Sequence, residues 1–441
     1  MSSTDPPVAG ATLDLRVEKA VYGGLGFAHH EGQVVFIPKA LPGERIRARV
    51  ESQSRGYLRA SLEEVLEPSV ERRASPCSHA GRCGGCSYQE LAYAGQLRLK
   101  ARVVAECLAR AGVAWDREIE SLGSPEAGWR TRAAMHLSAQ SGTVRAGFLE
   151  AESHTFVDIE HCLHLSEAMN AAAHHLAEAV AQHGLGRHVE RLALAESDDG
   201  ARLVAVFEGR LGSRQVAPLR ALAADAMALE GNITGLGAEL AVGRGRARFE
   251  RLAGDPYVAA SVGGLTYRAH VRSFFQGNRF LLGPLVEAVV AELPEAASVL
   301  DLYSGVGLFA LAAAQAGAHD VTGVEVAGQA SRDARANAKS AGLRQVEFRC
   351  GEAREGALRW RPKGRGVVIV DPPRTGLGKG VADAVMGHEP DRIIYVSCDP
   401  PTLGRDLARV IGGGYTLCSL RVLDMFPGTS HVETIAVLQS T

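Results

Sequence analysis

Tyr395-Val-Ser-Cys398-Asp399-Pro-Pro401 sets one cysteine at the end of an apolar run and directly before a proline turn. A second segment has the same shape, Val367-Val-Ile-Val-Asp371-Pro-Pro-Arg374. Upstream of both lies a glycine turn, Asp301-Leu-Tyr303-Ser-Gly305-Val-Gly307. Further apolar runs fall at 320–324 and 345–350, and helical stretches separate them all. That alternation is the pattern of βαβ units and predicts a parallel α/β sheet. Three strands would then end in chemistry along one sheet edge, with a thiol among them.

The glycine turn follows the expected strand Ser298–Leu302 and opens a helix from Leu308. Glycines there let the backbone approach a ligand at a helix N-terminus. Glu325 ends the next strand about twenty residues on, where an acid can accept ribose hydroxyls. The third glycine of a dinucleotide fingerprint is missing, since Phe309-Ala310 occupies that region. The pattern therefore points away from NAD and toward S-adenosyl-L-methionine, which has no phosphates to cradle. Glu352, after the third strand, is placed to bond the adenine amino group.

At the reactive end, two prolines stiffen the turn after Asp371 and so fix the side chain before it. A cysteine in a strand is ordinarily a small buried hydrophobe. Cys398 instead stands at a strand end, before Asp-Pro-Pro and beside an expected donor site. A thiol suits the methylation of a pyrimidine carbon, because carbon 5 of uracil is a poor nucleophile toward a sulfonium methyl. Thiolate addition to carbon 6 turns the ring into an enolate whose carbon 5 can attack. A base must then remove the carbon 5 proton before the thiol leaves, dividing one hard step into easier ones. His431-Val-Glu433-Thr supplies such a base near the C-terminus, and Ser273-Phe-Phe-Gln276 supplies an amide for the base edge or the cofactor.

The bulk properties agree with this reading. A chain of 441 residues exceeds one core and predicts two or three domains. No apolar run is long enough to cross a bilayer, and the first ten residues lack the basic start and apolar stretch of a secretion signal, so the cytoplasm is expected. The net charge of −2 gives no global sign of nucleic-acid binding, although Arg45, Arg47, Arg49, Arg55 and Arg59 cluster near the start. In a reducing compartment, clustered members of the eight cysteines would bind metal or act in catalysis rather than form disulfides.

Short strands are expected at 14–21, 33–38, 44–52 and 57–66, which suits a small barrel of the oligonucleotide-binding kind. A cysteine-rich loop follows at 76–87, then a helix over 91–111, then an α+β stretch to about 258 with a helix over 167–182. The resulting division is an OB-like barrel at 8–68, a middle domain carrying the cysteine cluster at 69–270, and the cofactor domain at 271–441.

Taken together, Ser-Phe-Phe-Gln276, the glycine turn, Asp371-Pro-Pro-Arg374, Ser-Cys398-Asp-Pro and His-Val-Glu433-Thr resemble the RNA uracil-5 methyltransferases in both content and order. The resemblance covers nearly the whole chain. It implies a Rossmann-like class I methyltransferase domain with Cys398 as nucleophile and Glu433 as the proton-abstracting base. Gln276, Tyr303, Glu325 and Asp371 would line the donor and target pocket, beside the cofactor contacts already expected of Gly305, Gly307 and Glu352. Asp399 departs from the asparagine common in the family and adjoins the nucleophile, where it could shift the thiol's pKa.

Toward the front, Cys77-x5-Cys83-x2-Cys86 with Cys162 looks like the [4Fe–4S] site of the family's ribosomal members. Four thiolates can also hold zinc, and the spacing does not separate the two. The x5 gap differs from that of radical adenosylmethionine enzymes, so a structural or RNA-positioning role is implied. The barrel resembles a TRAM domain. Because the family's transfer-RNA enzyme typically lacks both barrel and cluster, large-subunit ribosomal RNA is the expected partner; no obligate protein partner is evident. The competing readings are a 5-methyluridine enzyme acting on tRNA, an amino methyltransferase, and an RNA-binding assembly factor with a vestigial fold.

Overall fold

The computed structural model describes residues 9–229, 232–243 and 245–441. The expected barrel boundary at Val8 lies outside the described residues.

Six strands form the N-terminal unit, in the spatial order Thr12–Arg16, Arg45–Ser54, Tyr57–Glu67, Gln33–Pro38, Leu25–His30, Lys19–Val21. Alternation of side chains buries one face, as Leu13, Leu15, Val35, Ile37, Ile46 and Leu58 close over a common core. Two features differ from the sequence expectation. The first run is two strands, broken where the Val17 amide donates to the Glu44 carbonyl and the Val17 carbonyl accepts from the Gly43 amide. Leu25–His30 is an additional strand, masked in sequence by Gly26. A Cβ on Gly26 would stand 2.8 Å from the Ala40 carbonyl oxygen, so glycine serves close packing there and not a turn.

Four of the five clustered arginines of this unit are already matched with acids. Arg47 bonds Asp14 at 3.1 Å and Glu64 at 2.9 Å, Arg45 bonds Glu67 at 3.1 Å, and Arg49 and Arg59 meet Glu63 and Glu152 at 2.5 Å each. Cross-strand pairing, invisible to a one-dimensional count of charge, converts the basic run into a mixed surface.

A seven-stranded sheet follows, ordered 156–158, 143–149, 132–140, 189–196, 203–209, 233–243, 246–254. Helices Glu167–Gln182 and Val216–Leu229 pack on it through Met169, Leu176, Leu219 and Leu222. Ser166 caps the first of these, accepting from the Met169 amide. The hairpin Tyr257–Val262 with Leu265–His270 then leads into the C-terminal unit. It is fastened to helix Gly328–Ser340 where Asn337 and Asp333 accept from the Arg268 and His270 amides, at 3.0 and 2.9 Å.

The C-terminal sheet has eight strands in the order 346–350, 320–325, 298–302, 366–370, 392–397, 433–440, 415–423, 120–122. The first five are mutually parallel, and Glu433–Ser440 runs antiparallel to its neighbours on both sides. Gly366–Val370 is buried at every position, the near-continuous apolar signature of a strand covered on both faces. Strand order reverses between 298–302 and 366–370, which opens a crevice beyond their carboxyl ends. Helix Pro400–Gly412 starts at once after Cys398, with prolines in its first turn and Asp399 accepting from the Thr402 amide. Among the described residues no helix is long and apolar enough to cross a membrane.

Candidate active site and cysteine cavity

The crevice collects the strand-end residues singled out in the sequence. Tyr303, Gly305 and Gly307 all take positive φ, at 64°, 54° and 91°. A Cβ on Gly307 would stand 2.7 Å from the Phe348 ring, whereas at Gly305 nothing lies closer than 4.0 Å. Gly307 is thus fixed by packing, while Gly305 leaves its backbone open to approach. Glu325 ties the turn to the neighbouring strand, accepting from the Gly305 amide at 2.9 Å and the Ala327 amide at 2.6 Å. Glu352 is exposed at the start of helix Ala353–Arg359, on the same side of the sheet.

Asp301, at the start of the turn segment, is fully buried beneath it. One carboxyl oxygen accepts from the Ala310 amide at 2.9 Å, and the other has no partner. Burial pushes its pKa well up, with Asp371 and Glu325 adding to the effect.

Asp371 accepts from the Gln276 amide at 3.3 Å and its backbone is held by the Leu302 carbonyl. Burial raises its pKa to about 7, against the Gln276 bond that favours the charged form. Glu433 is 2% exposed, and its Oε1 is buried with no hydrogen-bond partner. Desolvation, and secondarily the charge of Asp371, hold its carboxyl well above the usual range. Cys398 is half-buried, and its thiol is pushed up to about 11 by burial, then by Glu433 and Asp371. Arg374 is the cation that opposes this rise. Its guanidinium lies 3.4 Å from the His431 ring, whose own pKa falls to about 4 through burial and the Arg374 charge.

The structure therefore brings Gln276, Asp371, Cys398 and Glu433 together and sets the glycine turn with Glu325 alongside them. It also adds a residue that no local motif announced. Tyr22 of the barrel donates from its hydroxyl to Asp399, the residue after Cys398.

Comparison with known proteins decides what this arrangement belongs to. Residues 364–441 match the tRNA (uracil-5-)-methyltransferase family model, 9–62 the TRAM domain, and 299–369 a methyltransferase domain. The 23S rRNA (uracil(1939)-C(5))-methyltransferase RlmD of Halomonas elongata is 33% identical, covering 97% of this chain and 89% of its own. An RNA methyltransferase of Listeria innocua is 30% identical, with 97% of each chain covered. The chain belongs to the RNA uracil-5 methyltransferase family.

Among solved structures, the tRNA (uracil-54, C5)-methyltransferase of Pyrococcus abyssi, in complex with S-adenosyl-L-homocysteine, shares the fold. Its TM-score is 0.76 at 24% identity, covering 97% of this chain and 100% of that one. As a methyltransferase of this family, the protein uses S-adenosyl-L-methionine, and the crevice fits such a group. The open Gly305 backbone and the strand-end acid Glu325 border it, and unpartnered oxygens of Asp301 and Ser304 lie buried in the turn behind them.

In this methyltransferase the four remaining candidate cysteines line one cavity of about 80 Å³, together with His79, Arg130 and His164. Short local bonds shape it. The Cys83 amide donates to the His79 carbonyl at 3.0 Å, and the Cys162 amide to the Asn170 side chain at 2.8 Å. Burial raises the Cys86 thiol to about 12 and shifts Cys83 and Cys162 upward; neighbouring cysteines add to each rise. Arg130 is the cation facing Cys162 and Cys86, and His79 Nε2 is buried without a partner. The donor set suits a thiolate-ligated group, since only a cation would offset four mutually repelling thiolates. Among the described residues, however, no group of three or more His, Cys, Asp or Glu side chains stands at metal-holding distance.

Proposed function

We propose that this enzyme forms 5-methyluridine in large-subunit ribosomal RNA, in the cytoplasm, through a covalent bond between Cys398 and the target base. One observation carries the reading: the unpartnered carboxyl of Glu433 and the thiol of Cys398 share one end of an antiparallel strand pair, beside Asp371. S-adenosyl-L-methionine supplies the methyl group. Gly305, Glu325 and Glu352 would hold it, and Tyr303 would shape the turn against it.

Cys398, once its proton has left to solvent, adds as a thiolate to carbon 6 of uracil, placing the electron pair on the carbon 5 to oxygen 4 system. Asp371, held by Gln276, orients the ring edge; with a pKa near 7 it can accept or donate a hydrogen bond there. After methylation Glu433 takes the carbon 5 proton, and the returning electron pair expels the Cys398 thiolate. A carboxyl kept basic by burial is well suited to remove a carbon-bound proton. The target base would have to leave its stack to reach this crevice.

Ribosomal RNA is supported by the RlmD relative, aligned over nearly the whole chain. A transfer-RNA substrate is the second reading. The tRNA enzyme from Pyrococcus abyssi spans the same length, barrel included, so the barrel alone does not separate the two. Mapping 5-methyluridine across ribosomal and transfer RNA, in cells with and without the gene, tests both. Loss of a modified uridine from tRNA alone would replace the first reading with the second.

Cys77, Cys83, Cys86 and Cys162 would hold a [4Fe–4S] cluster as a structural element. The convergence of four thiols with Arg130 on one cavity supports this. Iron and sulfide analysis of an anaerobic preparation tests it; stoichiometric zinc without sulfide would overturn it.

A further inference from the structure

Between the barrel and helix Tyr93–Arg110 runs a cleft of about 480 Å³ that the chemistry above does not use. Tyr22, Leu25, Phe27 and Phe36 form one wall, and Arg110 and Pro401 face them. The aromatic surface continues along the barrel. The Phe27 and Phe36 ring centroids are 5.9 Å apart, and those of Phe36 and Tyr57 are 5.5 Å apart. These rings stand on the outer face, because the alternate residues Ala28, Val35 and Ile37 fill the barrel core. Tyr22 and Tyr57 are each 37% exposed, so this row of rings is not consumed by packing.

The inner end of the cleft adjoins the reactive loop. Tyr22 bonds Asp399, one residue past Cys398, and Pro401 contributes directly to the wall. The outer rim carries Arg110, which is exposed with only a loose 3.7 Å contact to Glu106, while Lys19, 5.4 Å above the Phe27 ring, is paired with Glu106 at 3.0 Å. Arg45, Arg47, Arg49 and Arg59 of the barrel are occupied by acids, and the aromatic row beside the cleft is the surface fitted to unpaired nucleotides.

We propose that this cleft binds an unpaired base of the RNA strand flanking the target uridine, stacked against Phe27 and Phe36, with Arg110 on the adjoining phosphate. The inference rests on RNA being the substrate. Stacking on aromatic rings tolerates any base, since each has a π-face, and the phosphate contact adds a salt-dependent share. The cleft would thereby hold the strand on one side of the extruded uridine. The Tyr22–Asp399 bond joins that grip to the segment bearing the nucleophile.

The test uses the full chain with Phe36→Ala and, separately, Arg110→Glu, an exposed position where folding is not at stake. Probes are a fluorescent oligouridylate of about twelve nucleotides, within the footprint of such a barrel, and a large-subunit ribosomal RNA transcript. Both variants should weaken oligouridylate binding and raise KM for the transcript at least about fivefold. The kcat and the affinity for S-adenosylhomocysteine should hold. Unchanged binding and KM in both variants would overturn the proposal. So would a wild-type dimer that either substitution splits, which would assign the cleft to a second copy of the chain. A wild-type protein that binds the oligomer through this cleft but methylates no RNA would sink the proposed function and leave the cleft assignment standing.

Discussion

Cys398 and Glu433 stand one step beyond Ser397 and Thr434, the last paired residues of two antiparallel strands. Neighbouring strand ends bring the two side chains together, although they come from different chain segments. Glu433 also pairs across its other side with Leu423, so its backbone is held in the middle of the sheet and not on a loose end. A base that must reach a proton on a ring already bonded to Cys398 gains from this rigidity, because both groups move with the same sheet.

The pair should separate the two halves of the reaction. Glu433→Gln keeps the shape and removes the base. Turnover should fall by about 10²–10⁴-fold, while a protein–RNA adduct resistant to denaturation accumulates on ordinary RNA. Cys398→Ala should abolish both turnover and adduct, including the adduct with 5-fluorouridine RNA. Gel analysis of radiolabelled RNA reads both variants. Full activity in Cys398→Ala would instead support an amino methyltransferase.

The thiol's environment fixes the direction of its pH response. Burial and three carboxylates, Glu433, Asp371 and Asp399, raise the Cys398 pKa to about 11, so the free enzyme holds a thiol at neutral pH. Only the thiolate is nucleophilic, and its fraction grows about tenfold per pH unit below the pKa. Alkylation of Cys398 by iodoacetamide, followed by peptide mass spectrometry, should therefore keep rising from pH 7 to beyond pH 9. Arg374→Gln removes the cation that opposes the shift and should slow alkylation further at every pH in that range. A plateau already reached by pH 8 would contradict this account.

Gly305 and Gly307 should fail differently when given a methyl group. At Gly307 the new Cβ would meet the Phe348 ring, and φ is unfavourable as well. Gly307→Ala should therefore cost about 1–3 kcal/mol of stability and weaken S-adenosylhomocysteine binding as a consequence. At Gly305 the space is open and φ is 54°, a conformation other residues can adopt at a cost of about 1–2 kcal/mol. Gly305→Ala should melt closer to the wild type yet lose cofactor affinity, since the methyl group occupies the open side. Thermal melting and calorimetry distinguish them. Equal losses of both quantities in the two variants would argue against a cofactor lying on Gly305.

The strand ends of the C-terminal domain were legible because topology forces their meeting. Parallel strands joined by helices align their carboxyl ends, so Asp301, Glu325, Asp371 and Cys398 had to share an edge once the alternation was seen. Glycine and proline punctuation is also local, and it marks Gly305, Gly307 and Pro400 without knowledge of neighbours. Contacts set by docking left no such mark. Tyr22 is an ordinary barrel tyrosine until the barrel meets Asp399. Strand Glu120–Leu122 joins the far edge of the C-terminal sheet beside Arg421–Leu423, a partner from the other end of the chain. The arginine run looked basic because its acids lie on adjacent strands.

The least legible contact makes the most demanding prediction. Lys100, inside helix Tyr93–Arg110, donates at 2.5 Å to Asp424 and at 3.0 Å to the Phe426 carbonyl. The two side chains are 1% and 0% exposed. They anchor the segment leading to Glu433, and the Gly428 carbonyl there accepts further from the Ser87 and Tyr88 amides of the cysteine loop. Burial lowers the Lys100 pKa, and the charge of Asp424 opposes that shift. Lys100→Met strands a buried carboxylate and should destabilise the protein by about 3–5 kcal/mol, with activity lost beyond what unfolding explains, because Glu433 is no longer held in place. Adding Asp424→Leu removes the stranded charge and should restore most of the melting temperature without restoring full turnover, since the Phe426 carbonyl still lacks its donor. If Lys100→Met alone melts like the wild type, the ion pair does not anchor this segment and the positioning of Glu433 must be sought in the sheet alone.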